Sequence, residues 1–166
     1  MQIRIRETGQ VMYESEFRTY QQANGGPSWD VTTTEVLEAL GADVVLEGAQ
    51  ATGGTVYQYS QRDGVEQIDG KWYTKYVLGP IFTDITDEAG NVTPANAQEV
   101  AYKAQKDAEQ AKSMRDQRNT KLAESDWTQV ADAPVDKEAW ATYRQALRDI
   151  TTQEGFPWTV TWPTQP

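Results

Sequence analysis

The sequence predicts an α+β fold, and three observations carry that prediction. The first 93 residues alternate apolar and polar side chains in short runs broken by turn residues. From Pro94 to about Ala123 there is neither glycine nor a further proline, the mark of a long helix. Beyond it, Trp140, Tyr143, Leu147 and Ile150 recur at three, four and three residues, the spacing of a helix with one buried face. The expected organisation is a β-rich region over 1–93 and a helical region over 94–166. The second region is a long helix, a second helix packed back on it as an antiparallel hairpin, and an extended proline–tryptophan tail.

The elements follow in order. Gln2 to Glu7 alternates Ile3 and Ile5 with Arg4 and Arg6, a half-buried strand, and Val11 to Tyr13 pairs back after Gly9-Gln10. Ser15 to Tyr20 is a helical turn with Phe17 and Tyr20 on one face. A threonine among Thr32, Thr33 and Thr34 caps a short helix through Val36, Leu37 and Leu40, which Gly41 ends. Asp43 to Glu47 is a strand, and Ala49 to Thr55 a loop of small residues. Val56, Tyr57 and Tyr59 lead into a hairpin whose turn is Asp69-Gly70, with the β-prone string Lys71 to Leu78 as its second arm. Ile81 to Ile85 is extended, and Asp87 to Asn91 is a turn. Thr93-Pro94 reads as cap and first helical residue. Glu99 with Lys103, and Glu109 with Lys112, are spaced for ion pairs on that helix. Asp126 to Pro134 connects to a helix capped by Asp136. In the tail, Phe156 and Trp162 each precede a proline, which favours extended backbone from Gly155 to Pro163.

Charge and composition exclude several classes. The chain has 25 acids against 15 bases, a net −10, and no histidine or cysteine. Such a field repels nucleic acid and anionic membranes, so neither is an expected partner. Residues 1–93 hold 6 bases against 14 acids and residues 94–166 hold 9 against 11, so the acidity sits in the first region. Without cysteine or histidine the commonest metal ligands and general base are missing, and no metal or organic cofactor is expected. The N-terminal residues lack an apolar signal core, and no run approaches the ~20 apolar residues of a membrane helix. The tightest acid cluster, Asp84, Asp87 and Glu88, lacks the alternating spacing of a calcium loop and reads as a solvated turn. No catalytic residue is assigned.

Two features point to protein binding. Ala97, Ala101, Ala104, Ala108 and Ala111 repeat at coiled-coil spacing. They form either a seam for self-association or close helix packing, or a solvent-facing helix of good helix formers. The second feature is an aromatic cluster: Trp127, Trp140, Tyr143, Phe156, Trp158 and Trp162 fall within 36 residues. A hairpin poor in aliphatic residues needs two or three of these rings as core. The others, with Arg144, Arg148 and the prolines, form a candidate interface, because tryptophan, tyrosine and arginine dominate interface hot spots. The candidate partner-binding residues are Trp127, Tyr143, Arg144, Arg148, Phe156, Trp158, Trp162 and Pro163. Arg144 and Arg148 are also placed to pair with Asp126 or Asp132 inside the hairpin. In an extended tail Trp158, Val160 and Trp162 share one side, which lies on the hairpin or on a partner, with Trp140 more buried than either tryptophan.

One ordered set of residues runs through this half: Arg115-Asp116-Gln117-Arg118-Asn119, Leu122, Asp126-Trp127-Thr128-Gln129, Asp132-Ala133-Pro134, Trp140, Tyr143 to Asp149, Gly155-Phe156-Pro157 and Trp162-Pro163. In this order it resembles the small tail-assembly chaperone and tail-fibre-assembly proteins of tailed phages, most strongly over 115–163. The hairpin around Asp69-Gly70, with Trp72 and Tyr76-Val77, also fits that pattern, and the N-terminal part resembles the first segment of cyanophage relatives. The resemblance implies a non-catalytic helper that binds a phage tail or tail-fibre protein in the host cytoplasm. A structural tail, baseplate or fibre component retained in the virion is the first alternative, and a carbohydrate-binding tail protein the second.

Overall fold

Ile3 and Ile5 fall on one side of the first strand and Arg4 on the other, and this alternation organises the N-terminal half. The computed structural model describes residues 1–166, which divide into two compact units, Met1–Ile81 and Phe82–Pro166. The fold is mixed α+β.

In the first unit, β1 (Gln2–Ile5) pairs antiparallel with β2 (Val11–Tyr13) and with β3 (Ala42–Leu46). β4 (Tyr59–Ile68) and β5 (Lys71–Gly79) form the predicted hairpin, and β5 runs parallel to β3. The sheet order is β2-β1-β3-β5-β4. The hairpin turns through Asp69 at φ 48° and Gly70 at φ 77°, the left-handed pair that a two-residue turn between twisted strands requires. A bulge interrupts β4 between Arg62 and Val65, with Gly64 at φ 76°.

Two helices cover one face of the sheet. α1 (Glu14–Ala23) begins where the Tyr13 amide donates to the Glu16 carboxylate at 2.7 Å. α2 (Thr34–Ala39) is capped by Thr33, whose hydroxyl accepts from the Val36 amide at 3.3 Å. Ile3, Ile5, Phe17, Leu37 and Ala42 are buried together there, with Tyr20, Trp29 and Leu40 packed around them. Each large side chain so removed from water stabilises the fold by ~1.5–3 kcal/mol before entropy is charged against it. On the opposite face the Arg4 guanidinium lies 3.9 Å from the centre of the Trp72 ring and 3.5 Å from Asp43. Arg6 donates to the same carboxylate at 2.8 Å, and that bond raises its pKa above the ordinary arginine value. Gly48 passes so close to the Thr74 carbonyl that a Cβ would sit 1.9 Å from it, which fixes the loop after β3 against β5.

The second unit opens with a small ribbon, β6 (Ile85–Thr86) antiparallel to β7 (Val92–Thr93). The extended run expected over Ile81 to Ile85 is a strand only at its end. Asp87 closes the ribbon, accepting from the amides of Ala89 and Asn91 and from the Asn91 side chain. α3 (Ala95–Glu124) follows, and at ~1.5 Å per residue it is roughly 45 Å long. Its cap departs from the expectation at Thr93. Pro94 is the cap residue and has no side-chain donor or acceptor, and the Asp84 carboxylate accepts from the Ala95 amide at 2.8 Å instead. An acid eleven residues upstream thus meets the positive end of the helix. Lys103 pairs with Glu99 as the spacing predicts, but Glu109 pairs with Lys106 rather than Lys112. Helical side chains lean toward the preceding turn, which brings Glu109 to Lys106 and Gln105.

A 3-10 turn (Asp126–Gln129) links α3 to α4 (Lys137–Arg148), and a second one (Asp149–Thr152) ends the helical part. Asp136 caps α4, accepting from the amides of Glu138 and Ala139 at 3.1 Å each. α4 folds back on the last turns of α3. The tail differs from the extended strip expected. Hydrogen bonds from Phe156 to Gln153 and from Trp158 and Thr159 to Gly155 wind it into turns, and only the residues beyond Thr159 lack regular structure. A Cβ on Gly155 would meet the Thr159 side chain at 2.7 Å, so glycine permits this close turn. No helix of the chain is long and apolar enough to cross a membrane.

Candidate protein-binding site

The second unit holds the candidate residues, and its geometry sorts them. Trp140, Tyr143 and Leu147 lie on one face of α4 and make a buried cluster, with Leu122, Val135 and Trp162 against it. Trp140 is 6% exposed and meets Tyr143 edge to face at 5.6 Å and 89°. Tyr143, named as a binding residue by its type and position, belongs to this core.

Arg144 is also internal. Its Nη1 donates to the Leu122 carbonyl and to the Ser125 hydroxyl, each at 2.7 Å, and its Nη2 donates to Asp126 at 2.7 Å. The guanidinium therefore closes the C-terminal end of α3, where carbonyls lack helical partners and a cation opposes the helix dipole. Its residual exposure is 7%. Of the two acids considered for it, Asp126 is the partner.

The tail is laid on the second unit rather than held out. Trp158 Nε1 donates to Asp107 at 2.6 Å, the Phe156 ring lies 5.6 Å from the Arg115 guanidinium, and Lys121 Nζ lies 5.5 Å from the centre of the Trp162 ring. At about 100° per residue, Asp107, Ala111, Arg115, Lys121 and Leu122 fall within roughly one third of the helix circumference. Ala111 is buried on this face, whereas Ala97, Ala101, Ala104 and Ala108 remain open to solvent. Phe156, Trp158, Trp162 and Pro163 are half-buried as a result.

Two of the named residues remain accessible. Trp127 is 52% exposed: its ring meets Trp140 at 5.9 Å and 62°, and the rest is open. Val130 beside it is also exposed. Arg148 is exposed and makes no ion pair within the chain. A cleft of about 370 Å³ opens between α4 and the tail, lined by Asp136, Glu138, Ala139, Tyr143, Ala146 and Pro163. The sequence reading missed this cleft and the roles of Asp107, Ser125 and Lys121. A helical wheel of α3 places Asp107, Arg115 and Lys121 on one side, but nothing local pairs Asp107 with a residue 51 positions away. The acids of the β6–β7 ribbon are engaged structurally: Asp84 caps α3, and Asp87 is held below the usual carboxylate range by its bonds to Asn91, side chain first and backbone second.

No curated protein and no solved structure matches the chain. A family model does match, over residues 111–166, and its description is phage tail assembly chaperone protein. The matched segment runs from the buried Ala111 of α3 through the Trp127 turn, the Arg144 lock and the docked tail. Over this hairpin and tail, about a third of the chain, the protein is similar to the phage tail assembly chaperone family.

Proposed function

We propose that the protein is a non-catalytic assembly factor that binds a phage tail or tail-fibre subunit through its C-terminal hairpin and masks or positions that subunit until it assembles. The observation that carries this reading is Trp127, a half-exposed tryptophan held by Trp140 at the turn of the family-matched hairpin. A large ring fixed in place and open on one side loses little entropy on binding and supplies the apolar area of a hot spot. Val130 extends that apolar surface, and the exposed Arg148 of α4 offers an unpaired cation. The surface comes from side chains rather than from a strand edge, so it suits an apolar patch on the client that must be hidden from other copies. Binding takes place in the host cytoplasm, before the subunit joins the tail. Mass spectrometry of purified virions and of infected-cell lysates tests the assignment. An assembly factor is found with a tail protein in lysates and is absent from virions. A fixed stoichiometry in the virion instead makes it a structural tail component.

A further inference from the structure

We propose that the cleft between α4 and the tail is a docking site for an extended, lysine- or arginine-bearing segment of a protein partner. This deepens the protein-binding reading and rests on it. The floor is α4 itself, where Ala139, Tyr143 and Ala146 follow each other at four and three residues. Two of these are alanines, so a peptide backbone can lie close to the helix. The opposite wall is Pro163, Thr164 and Pro166. Proline has a carbonyl but no N–H, so this wall is richer in acceptors than in donors. The volume of about 370 Å³ falls within the range of small ligand sites, ~300–1,000 Å³, and suits one or two side chains rather than a domain.

The charge of the cleft selects the occupant. Asp136 and Glu138 lie at its α4 end, and no lysine or arginine lines it. Asp136 uses Oδ1 to cap α4, and Glu138 makes no ion pair within the chain. The base between them turns away: Lys137 Nζ donates to the carbonyls of Val130 at 3.1 Å and Ala131 at 2.6 Å. Two carboxylates with no cation beside an apolar floor are complementary to an apolar side chain flanked by a basic one. An acidic segment meets like charge there and is rejected.

The test is a titration of the full chain, followed by backbone amide NMR, with two ten-residue peptides. One carries leucines flanked by lysines, and the other carries the same leucines flanked by glutamates. The expected result is that the lysine peptide shifts the amides of Ala139, Ala146 and Thr164, and the glutamate peptide does not. Glu138→Gln weakens binding about tenfold with an unchanged melting temperature. Ala146→Gln, a good helix former that fills the floor, abolishes it. Shifts scattered over Met1–Ile81, or an affinity indifferent to both substitutions, overturn the proposal. Both variants are also assayed for tail assembly in infected cells. A cleft that binds peptide while assembly proceeds without the protein refutes the functional reading and leaves the cleft standing. An assembly factor whose cleft ignores the lysine peptide does the reverse.

Discussion

The Arg144 guanidinium reaches Asp126 at 2.7 Å across the turn of the hairpin, and the same group holds the Leu122 carbonyl and the Ser125 hydroxyl. The ion pair is the smaller part of this arrangement, because the Asp126 side chain is 67% exposed and screened by water. Arg144→Met removes the charged donor shared by the Leu122 carbonyl, the Ser125 hydroxyl and Asp126, and is expected to cost on the order of 2–4 kcal/mol. Asp126→Asn is expected to cost ~0–1 kcal/mol. Urea denaturation of the two variants checks this, and equal losses contradict it.

Trp140 and Trp162 sit at different depths of one cluster. Trp140→Ala empties a buried site and is expected to cost ~3–5 kcal/mol. Trp162→Ala removes a half-buried ring from the rim, with an expected loss of about 1–3 kcal/mol. Thermal melts of the two proteins measure the difference. Equal falls in melting temperature would place Trp162 in the core.

The Trp158–Asp107 hydrogen bond anchors the tail on α3. Trp158→Phe keeps a ring and loses the donor. The expected effect is faster hydrogen exchange at the amides of the tail, with exchange in α4 nearly unchanged. Unchanged exchange in the tail means that packing alone holds it.

Acid is expected to destabilise the first unit through Glu14. Its carboxylate is held below the ordinary glutamate value, first by the Thr32 hydroxyl and then by Arg18. A depressed folded-state pKa gives stability that is complete above the unfolded-state value and is lost as pH falls through the folded value. Between neutral pH and about pH 5 this contribution is constant, and below the usual glutamate range, ~4.3, it declines. Glu14→Gln is expected to flatten that part of the stability curve. A variant with the same acid slope as the parent shows that other carboxylates set it.

Much of the fold is legible along the chain because its causes are local. Asp69-Gly70 announces a turn, since few other pairs accept two positive φ angles. Thr33, Gly41 and Asp136 mark helix ends by their own chemistry. The parallel pairing of β3 with β5 is not legible, because it joins Val45 to Trp72 across an intervening strand. The cap of α3 is not legible for a similar reason: Asp84 reaches it from the start of the ribbon, while Thr93 has the right type and the wrong position. At the site, residue type identified arginine and aromatic positions but not their depth. Arg144 is buried because the Leu122 carbonyl and the Ser125 hydroxyl at the end of another helix face it, and Trp158 is docked because Asp107 does. Both facts depend on tertiary contacts that no spacing rule contains.

The proposed function puts the tail-protein contact on the hairpin that holds Trp127. The test is affinity capture of the full chain co-expressed with tail and tail-fibre proteins encoded in the same genome, with and without Trp127→Ala. Trp127 is half-exposed, so its loss is expected to lower the stability by only about 1 kcal/mol. One tail protein is expected to co-purify with the parent chain and to fall at least tenfold with the variant, whose fold is intact by circular dichroism. Equal recovery of that protein with both chains would contradict it.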